Sequence, residues 1–295
     1  MRALLVHNDN AGTNPIPRQD IEQVLKQAGI EPVYCAHGQD DLSAALAQPF
    51  DIVVAAGGDG TVADVVSCLD DIERPIGILP LGGSNNIANA LGVDGDWRSL
   101  PARWDRNDWV RLDRCEADGP WGHRKFVEAI GSGVLTDAVD DVDSEPDTPE
   151  EKQANGREAF RKSLTRAEPF PCKVEDIGQD GGWVWEGSCL MVEVLSIPFV
   201  GAHLALAAGS APGDGLLDVV LVTPDLRAPL IAWSADPDAS PCPVVPYRSS
   251  AVRLTVHERP FRVDDRCPNE QLTGCVDIRI RPDWVKVLTL KEDAR

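Results

Sequence analysis

The twelve residues AAGGDGTVADVV, Ala55–Val66, decide the fold. They continue the apolar run Ile52-Val53-Val54-Ala55-Ala56, which has the length of a strand, and lead into Val62–Leu69 at helical spacing. A buried strand that turns through three glycines into a helix is part of a βαβ unit. Such units build parallel sheets with helices on both faces. Glycines let backbone N–H groups come close to a ligand, and a helix N-terminus favours negative charge. The turn therefore reads as a phosphate cradle. Asp59, at its centre, would repel phosphate unless it meets a divalent cation, a ribose hydroxyl or a second loop. The residues alone leave these three open.

Working outward, strand and helix signals alternate through the first hundred residues. Strands are expected at Ala3–His7, Glu31–Cys35, Asp51–Ala56 and Pro75–Leu79. Helices are expected at Arg18–Ala28, stopped by Gly29, at Asp41–Ala47, at Val62–Leu69, and from near Asn85. From Trp109 the pattern changes to strand-like runs: Trp109–Leu112, Lys125–Ile130, Trp183–Val194, Leu217–Val222, Ala251–Val256 and Val276–Ile280. Asp137–Glu151 reads as acidic and turn-rich, Glu150–Arg166 as a charged, exposed helix, and the Pro-rich 235–246 as a loop. The expected fold is α/β plus β. Residues 1–112 would form a three-layer, parallel-sheet nucleotide-binding domain. Residues 113–295 would form an antiparallel, β-sandwich-like domain, with the last residues able to return to the first.

The composition excludes some functions. With 48 acidic against 28 basic residues the formal net charge is −20, which argues against nucleic acid as a partner. The eight cysteines show no C-x-x-C pair, so the thiols read as structural, in a reducing cytoplasm. The opening MRALLVHNDNAG is too short in its apolar part for a signal sequence and reads as a buried strand. No apolar run has transmembrane length, and the expected location is cytoplasmic, with peripheral contact to a membrane surface.

The turn is neither a Walker loop, since no G-K-[ST] follows, nor a G-x-G-x-x-G dinucleotide fingerprint. GGDGT at 57–61 instead resembles the nucleotide-binding signature of the diacylglycerol kinase catalytic-domain family, which includes bacterial lipid kinases and sphingosine kinases. Four further stretches carry the resemblance in the family's order. HNDNAG at 7–12 is similar to its first loop, and ILPLGGSNNIANALGV at 78–93 to its P-L-G-T-x-N-D-x-A stretch. FVEAIGSGVLTDAV at 126–139 is like the strand and turn that open the second domain, and AAGSAPGDGLLDVVLV at 207–222 is like its D-G-L-L-D segment.

The resemblance implies an ATP- and Mg²⁺-dependent lipid kinase, with a lipid hydroxyl at a membrane surface as acceptor. It implies nucleotide contacts at Asn8, Gly57, Gly58, Asp59, Gly60, Thr61, Gly82, Gly83, Ser84 and Asn85. Asp214, with main-chain carbonyls of Ala211 and Leu216, matches a structural magnesium site. Asp113 matches an aspartate that faces the acceptor. FRVDDRC at 261–267 matches a C-terminal V-D-G-E, which sets Asp264 as the base and Arg266, where the family has glutamate, as a phosphate-binding cation. Further departures are Gly83 for threonine, Asn86 for an acidic residue, Ala208 for proline and Gly213 for a second aspartate. They keep open a catalytically degenerate member that binds nucleotide or lipid, and GGDGT itself keeps open an NAD kinase, whose family also uses it.

Overall fold

The computed structural model describes residues 1–138, 148–178, 182–264, 266–267 and 274–291. The chain divides into two compact units: Met1–Leu112 with Asp147–Pro149 and Asp283–Arg295, and Asp113–Pro146 with Glu150–Pro282.

In the first unit the chain runs β1 (Arg2–His7), α1 (Arg18–Gln27), β2 (Glu31–Ala36), α2 (Leu42–Leu46), β3 (Ile52–Gly57), α3 (Asp59–Cys68) and β4 (Ile76–Pro80). Two short helices follow, α4 (Asn86–Ala90) and α5 (Leu100–Arg103). The strand order is β2-β1-β3-β4, with every neighbouring pair parallel. β3 is buried along its whole length, as its unbroken apolar run requires of a strand covered on both faces. α1 buries Ile21 and Leu25 from one face, and Asp41 caps α2 by accepting the Ala44 N–H at 3.0 Å. The C-terminal part of the last strand joins this sheet parallel to β4, with Val287 opposite Ile76. From β1 the chain goes out to β2 and returns past β1 to β3. That reversal opens a crevice at the carboxyl ends of β1 and β3, where doubly wound sheets bind their ligands.

Strand β5 (Trp104–Gly119) begins in the first unit and ends in the second, where it pairs with β6 (Gly122–Phe126). Then come β7 (Ala129–Gly133), α6 (Val134–Ala138), α7 (Pro149–Arg166), β8 (Phe170–Asp176), β9 (Val184–Cys189) and β10 (Met191–Leu195). β11 (Leu217–Val222), α8 (Arg227–Trp233), β12 (Tyr247–Ser249), β13 (Ala251–Val256), β14 (Arg262–Val263) and β15 (Gly274–Leu290) complete the chain. One antiparallel sheet has the order β12-β11-β10-β7-β14. A second antiparallel ladder runs β15-β13-β8-β9. Val192 and Val219 of the first sheet share a core with Val174, Leu254 and Ile278 of the second. The other face of the five-stranded sheet packs Leu195 and Val220 against Phe160 and Leu164 of α7 and Trp233 of α8.

Three expectations need correction. The runs Lys125–Ile130 and Trp183–Val194 are not single strands. The first splits into β6 and β7 and the second into β9 and β10, and in each case the two halves lie in different sheets. The chain crosses between two sheets that bury a common core: Cys189-Leu190-Met191 runs apolar through the second crossing, and at the first the one charged residue, Glu128, is itself buried. The third concerns α7, which is not wholly exposed: Ala159, Phe160, Ser163 and Leu164 are buried in its sequence of charges. Of the acidic Asp137–Glu151 stretch, Asp137 ends in helix α6, and residues 139–147 lie outside the described residues.

Candidate functional site

Three βα turns meet at the carboxyl ends of β1, β3 and β4. Asn8 follows β1 and donates its N–H to Ala56 O at 3.0 Å, which ties the first turn to the end of β3. Its side-chain Oδ1 accepts the Asn10 N–H at 3.0 Å, a local turn that Asn forms readily. Gly57 O accepts the Leu81 N–H at 2.9 Å and links β3 to the third turn. Gly58 and Gly82 then touch through their backbones: a Cβ on Gly82 would lie 2.6 Å from Gly58 Cα. Any side chain at residue 82 would block that approach, and one at residue 58 would crowd it, at 3.2 Å from Gly82 Cα.

Each predicted residue of this group has a definite local role. Gly58 caps α3, and its carbonyl accepts the Thr61 N–H at 3.0 Å. Gly60 faces open space, with nothing within 4 Å of where a Cβ would be. Thr61 is buried, and its hydroxyl packs against Gly57, where a Cβ would lie 2.2 Å away. Asn85 takes a left-handed φ of 49° and closes the third turn twice. Its Oδ1 accepts the Gly82 N–H and its Nδ2 donates to Gly82 O, both at 2.9 Å. Ser84 O accepts from Asn89 Nδ2 at 3.0 Å, and Gly83 lies inside the same turn. Asp59 Oδ1 accepts the Ile87 N–H at 2.8 Å, so the aspartate joins the second turn to the helix after the third. One of the three partners open to Asp59, the second loop, is supplied by the fold itself.

This arrangement suits an anion chemically. Helix N-termini carry N–H groups without intrahelical acceptors, and α3 starts in a turn with no side chain over Gly58 or Gly60. A helix N-terminus of this kind favours negative charge, and Asp59 adds a carboxylate beside it.

Sequence reading missed two residues beside these turns. His7, at the end of β1, is buried, and burial holds its imidazole below the ordinary range and therefore neutral near pH 7. His37, just after β2, contacts Asp64 of α3 at 2.9 Å. No spacing rule finds either residue, because each depends on which strands lie side by side.

The second unit brings together Asp113 and the 211–218 segment. Asp113 is buried, and its Oδ2 accepts the Gly215 N–H at 2.8 Å. Ala211 O accepts the Asp214 N–H at 3.2 Å, and Asp214 Oδ1 accepts the Leu216 N–H at 2.9 Å. Asp214 also pairs with Arg248, which reaches Asp218 Oδ1 through Nε at 3.2 Å.

Asp264 sits elsewhere in this unit, at a tight hairpin where Val263 and Arg266 form a bridge. Its φ of 47° is left-handed, a conformation that Asp tolerates better than most residues. Its carboxylate faces the turn before β7, with Oδ1 accepting the Glu128 N–H at 2.8 Å and the Ala129 N–H at 3.3 Å. Arg266 contributes its backbone to the hairpin, donating to Val263 O at 3.0 Å. Behind the hairpin lies a pair that sequence reading also missed. Arg262 Nη2 lies 3.0 Å from Glu193 Oε2 with both side chains buried, and Arg262 Nη1 donates to Asp264 O. A lone glutamate inside the apolar strand MVEVL was the available signal.

Residues 2–117 match the family model of the diacylglycerol kinase catalytic domain. A diacylglycerol kinase of Bacillus subtilis is 28% identical over 236 residues, which is 75% of this chain and 73% of that protein. The crystal structure of a diacylglycerol kinase from Bacillus anthracis superposes with a TM-score of 0.72 at 18% identity, covering 97% of this chain and 96% of that one. An NAD kinase from Archaeoglobus fulgidus, crystallised with ATP, reaches 0.53 at 13% identity, covering 98% and 94%. The sequence likeness to the diacylglycerol kinase catalytic domain thus lies in residues 2–117, and the likeness to the solved structures is one of fold.

Proposed function

We propose that the chain is an ATP- and Mg²⁺-dependent lipid kinase that transfers the γ-phosphoryl group to a lipid hydroxyl, diacylglycerol-like or of a long-chain base. The observation that carries this reading is the convergence of Asn8, Gly57–Thr61 and Gly82–Asn85 at the crevice between β1 and β3. Phosphoryl transfer calls for positioning, charge neutralisation and a carboxylate for the acceptor hydroxyl. In this reading residues 1–112 hold the nucleotide by backbone N–H groups, and Asp59 acts towards the accompanying Mg²⁺. Residues 113–295 carry the acceptor side, with Asp113 facing the acceptor, Asp264 as base and Arg266 as a cation for the transferred phosphate. No helix of the described residues is long and apolar enough to cross a membrane, which agrees with an acceptor reached from the membrane surface.

A second reading, a degenerate member that binds without turnover, draws on one observation. The Asp264 carboxylate already accepts backbone N–H groups, and Arg266 stands where the family's glutamate would be. The NAD kinase reading has less support, since the fold likeness is lower and the P-L-G-x-x-N turn suits lipid kinases better.

The test is ATP consumption with a panel of lipid acceptors and NAD⁺, wild type against Asp59→Asn. Lipid-dependent turnover that the variant loses supports the kinase. Nucleotide binding with no turnover on any acceptor supports the degenerate reading, and turnover on NAD⁺ alone overturns both.

A further inference from the structure

We propose that the guanidinium of Arg248, on the neighbouring strand, holds the 211–218 segment in place, and that this segment takes no divalent cation. The family resemblance puts a structural magnesium on Asp214 and two neighbouring carbonyls, and the donors present do not fit one as they stand. Asp214 Oδ1 is engaged by the Leu216 N–H at 2.9 Å, its Oδ2 by Arg248, and Ala211 O by the Asp214 N–H at 3.2 Å. Mg²⁺ demands close, near-octahedral oxygen ligands, so the ion and the guanidinium would compete for the same carboxylate oxygen.

Register explains why arginine serves here. Asp218 on β11 stands directly opposite Arg248 on β12. From there one guanidinium edge spans both carboxylates, with Nε to Asp218 Oδ1 at 3.2 Å and Nη2 to Asp214. A planar fork suits two acceptors at once, which an ammonium does not match. Asp218 is 2% exposed, and its Oδ2 has no hydrogen-bond partner among the described residues. A carboxylate so placed needs a cation beside it. Gly213 and Gly215 supply the positive φ values, 87° and 77°, that fold Asp214 back towards Arg248, and Asp113 fixes the far side through the Gly215 N–H.

The experiment is thermal melting of nucleotide-free protein in EDTA and in millimolar MgCl₂ or MnCl₂. Because it reads neither turnover nor nucleotide, its outcome is independent of the kinase reading. Wild type should melt at the same temperature in all three. Arg248→Ala should melt about 5–10 °C lower in EDTA, the scale expected when a buried carboxylate loses its partner. Divalent cation should then restore part of that loss, and Asp214→Asn in the same background should abolish the restoration. Arg248→Lys, which keeps the charge but not the fork, should fall between. A wild-type melting temperature that rises with Mg²⁺, with the rise lost in Asp214→Asn, overturns the proposal. So does an Arg248→Ala protein that melts like wild type. Should Arg248→Ala fail to fold, the wild-type and Asp214→Asn measurements still decide.

Discussion

Replacing Arg262 by methionine should destabilise the protein by about 3–5 kcal/mol, the usual cost of leaving one member of a buried ion pair alone. The magnitude follows from burial. The Arg262 and Glu193 side chains are 3% and 0% exposed and 3.0 Å apart, so solvent does not screen them. Burial pushes the Glu193 carboxyl above its ordinary range, and Arg262 pulls it part of the way back. A folded-state pKa above the unfolded one means that protonation favours the native state. The contribution is complete below the unfolded value and is lost as pH rises through the folded one. Removing Arg262 raises the folded value further, so the variant loses about 1.4 kcal/mol per pH unit across the added window. Its deficit against wild type should therefore be smaller at pH 5 than at pH 8. Urea denaturation followed by circular dichroism at the two pH values measures this. Adding Glu193→Gln should recover part of the stability and flatten the pH dependence. A loss below about 1 kcal/mol at pH 8, which is the scale of an exposed pair, would refute the reasoning. An equal deficit at both pH values would refute it too.

Gly82→Ala puts a Cβ 2.6 Å from Gly58 Cα and should part the two turns, with a loss of ATP affinity in calorimetry that exceeds its effect on melting. Asp59→Asn keeps an acceptor for the Ile87 N–H and should melt near wild type while losing Mg-ATP affinity. Asp59→Ala should lose about 1 kcal/mol as well, and equal melting of the two variants would deny the 2.8 Å bond a structural role. Asp264→Asn keeps an acceptor for the Glu128 N–H, so stability should hold while turnover falls about a hundredfold, the scale for losing a general base. Unchanged turnover in an active protein would remove Asp264 from the chemistry.

Near-continuous apolar runs placed β1, β3 and β11, and alternation placed β13, within a residue or two, because each is set by local burial of its own side chains. The order of glycine-rich stretches carried the family resemblance for a similar reason: close approach of backbone is written in the residue type itself. Other features depended on which strands are neighbours, which no single segment encodes. The sequence left Asp59 with three partners, and the meeting of turns from β3 and β4 supplies one of them, the Ile87 N–H. Arg248 faces Asp218 through the β11–β12 register, and Glu193 reaches Arg262 from the strand on the far side of β7. Pairing of this kind is non-local: a strand carries its own alternation but not the identity of its neighbour. The two strand-like runs hid their crossings because the residues at each crossing stay buried between sheets that share one core. Local chemistry thus determined the elements and the turn, and tertiary contact decided what their charged residues meet.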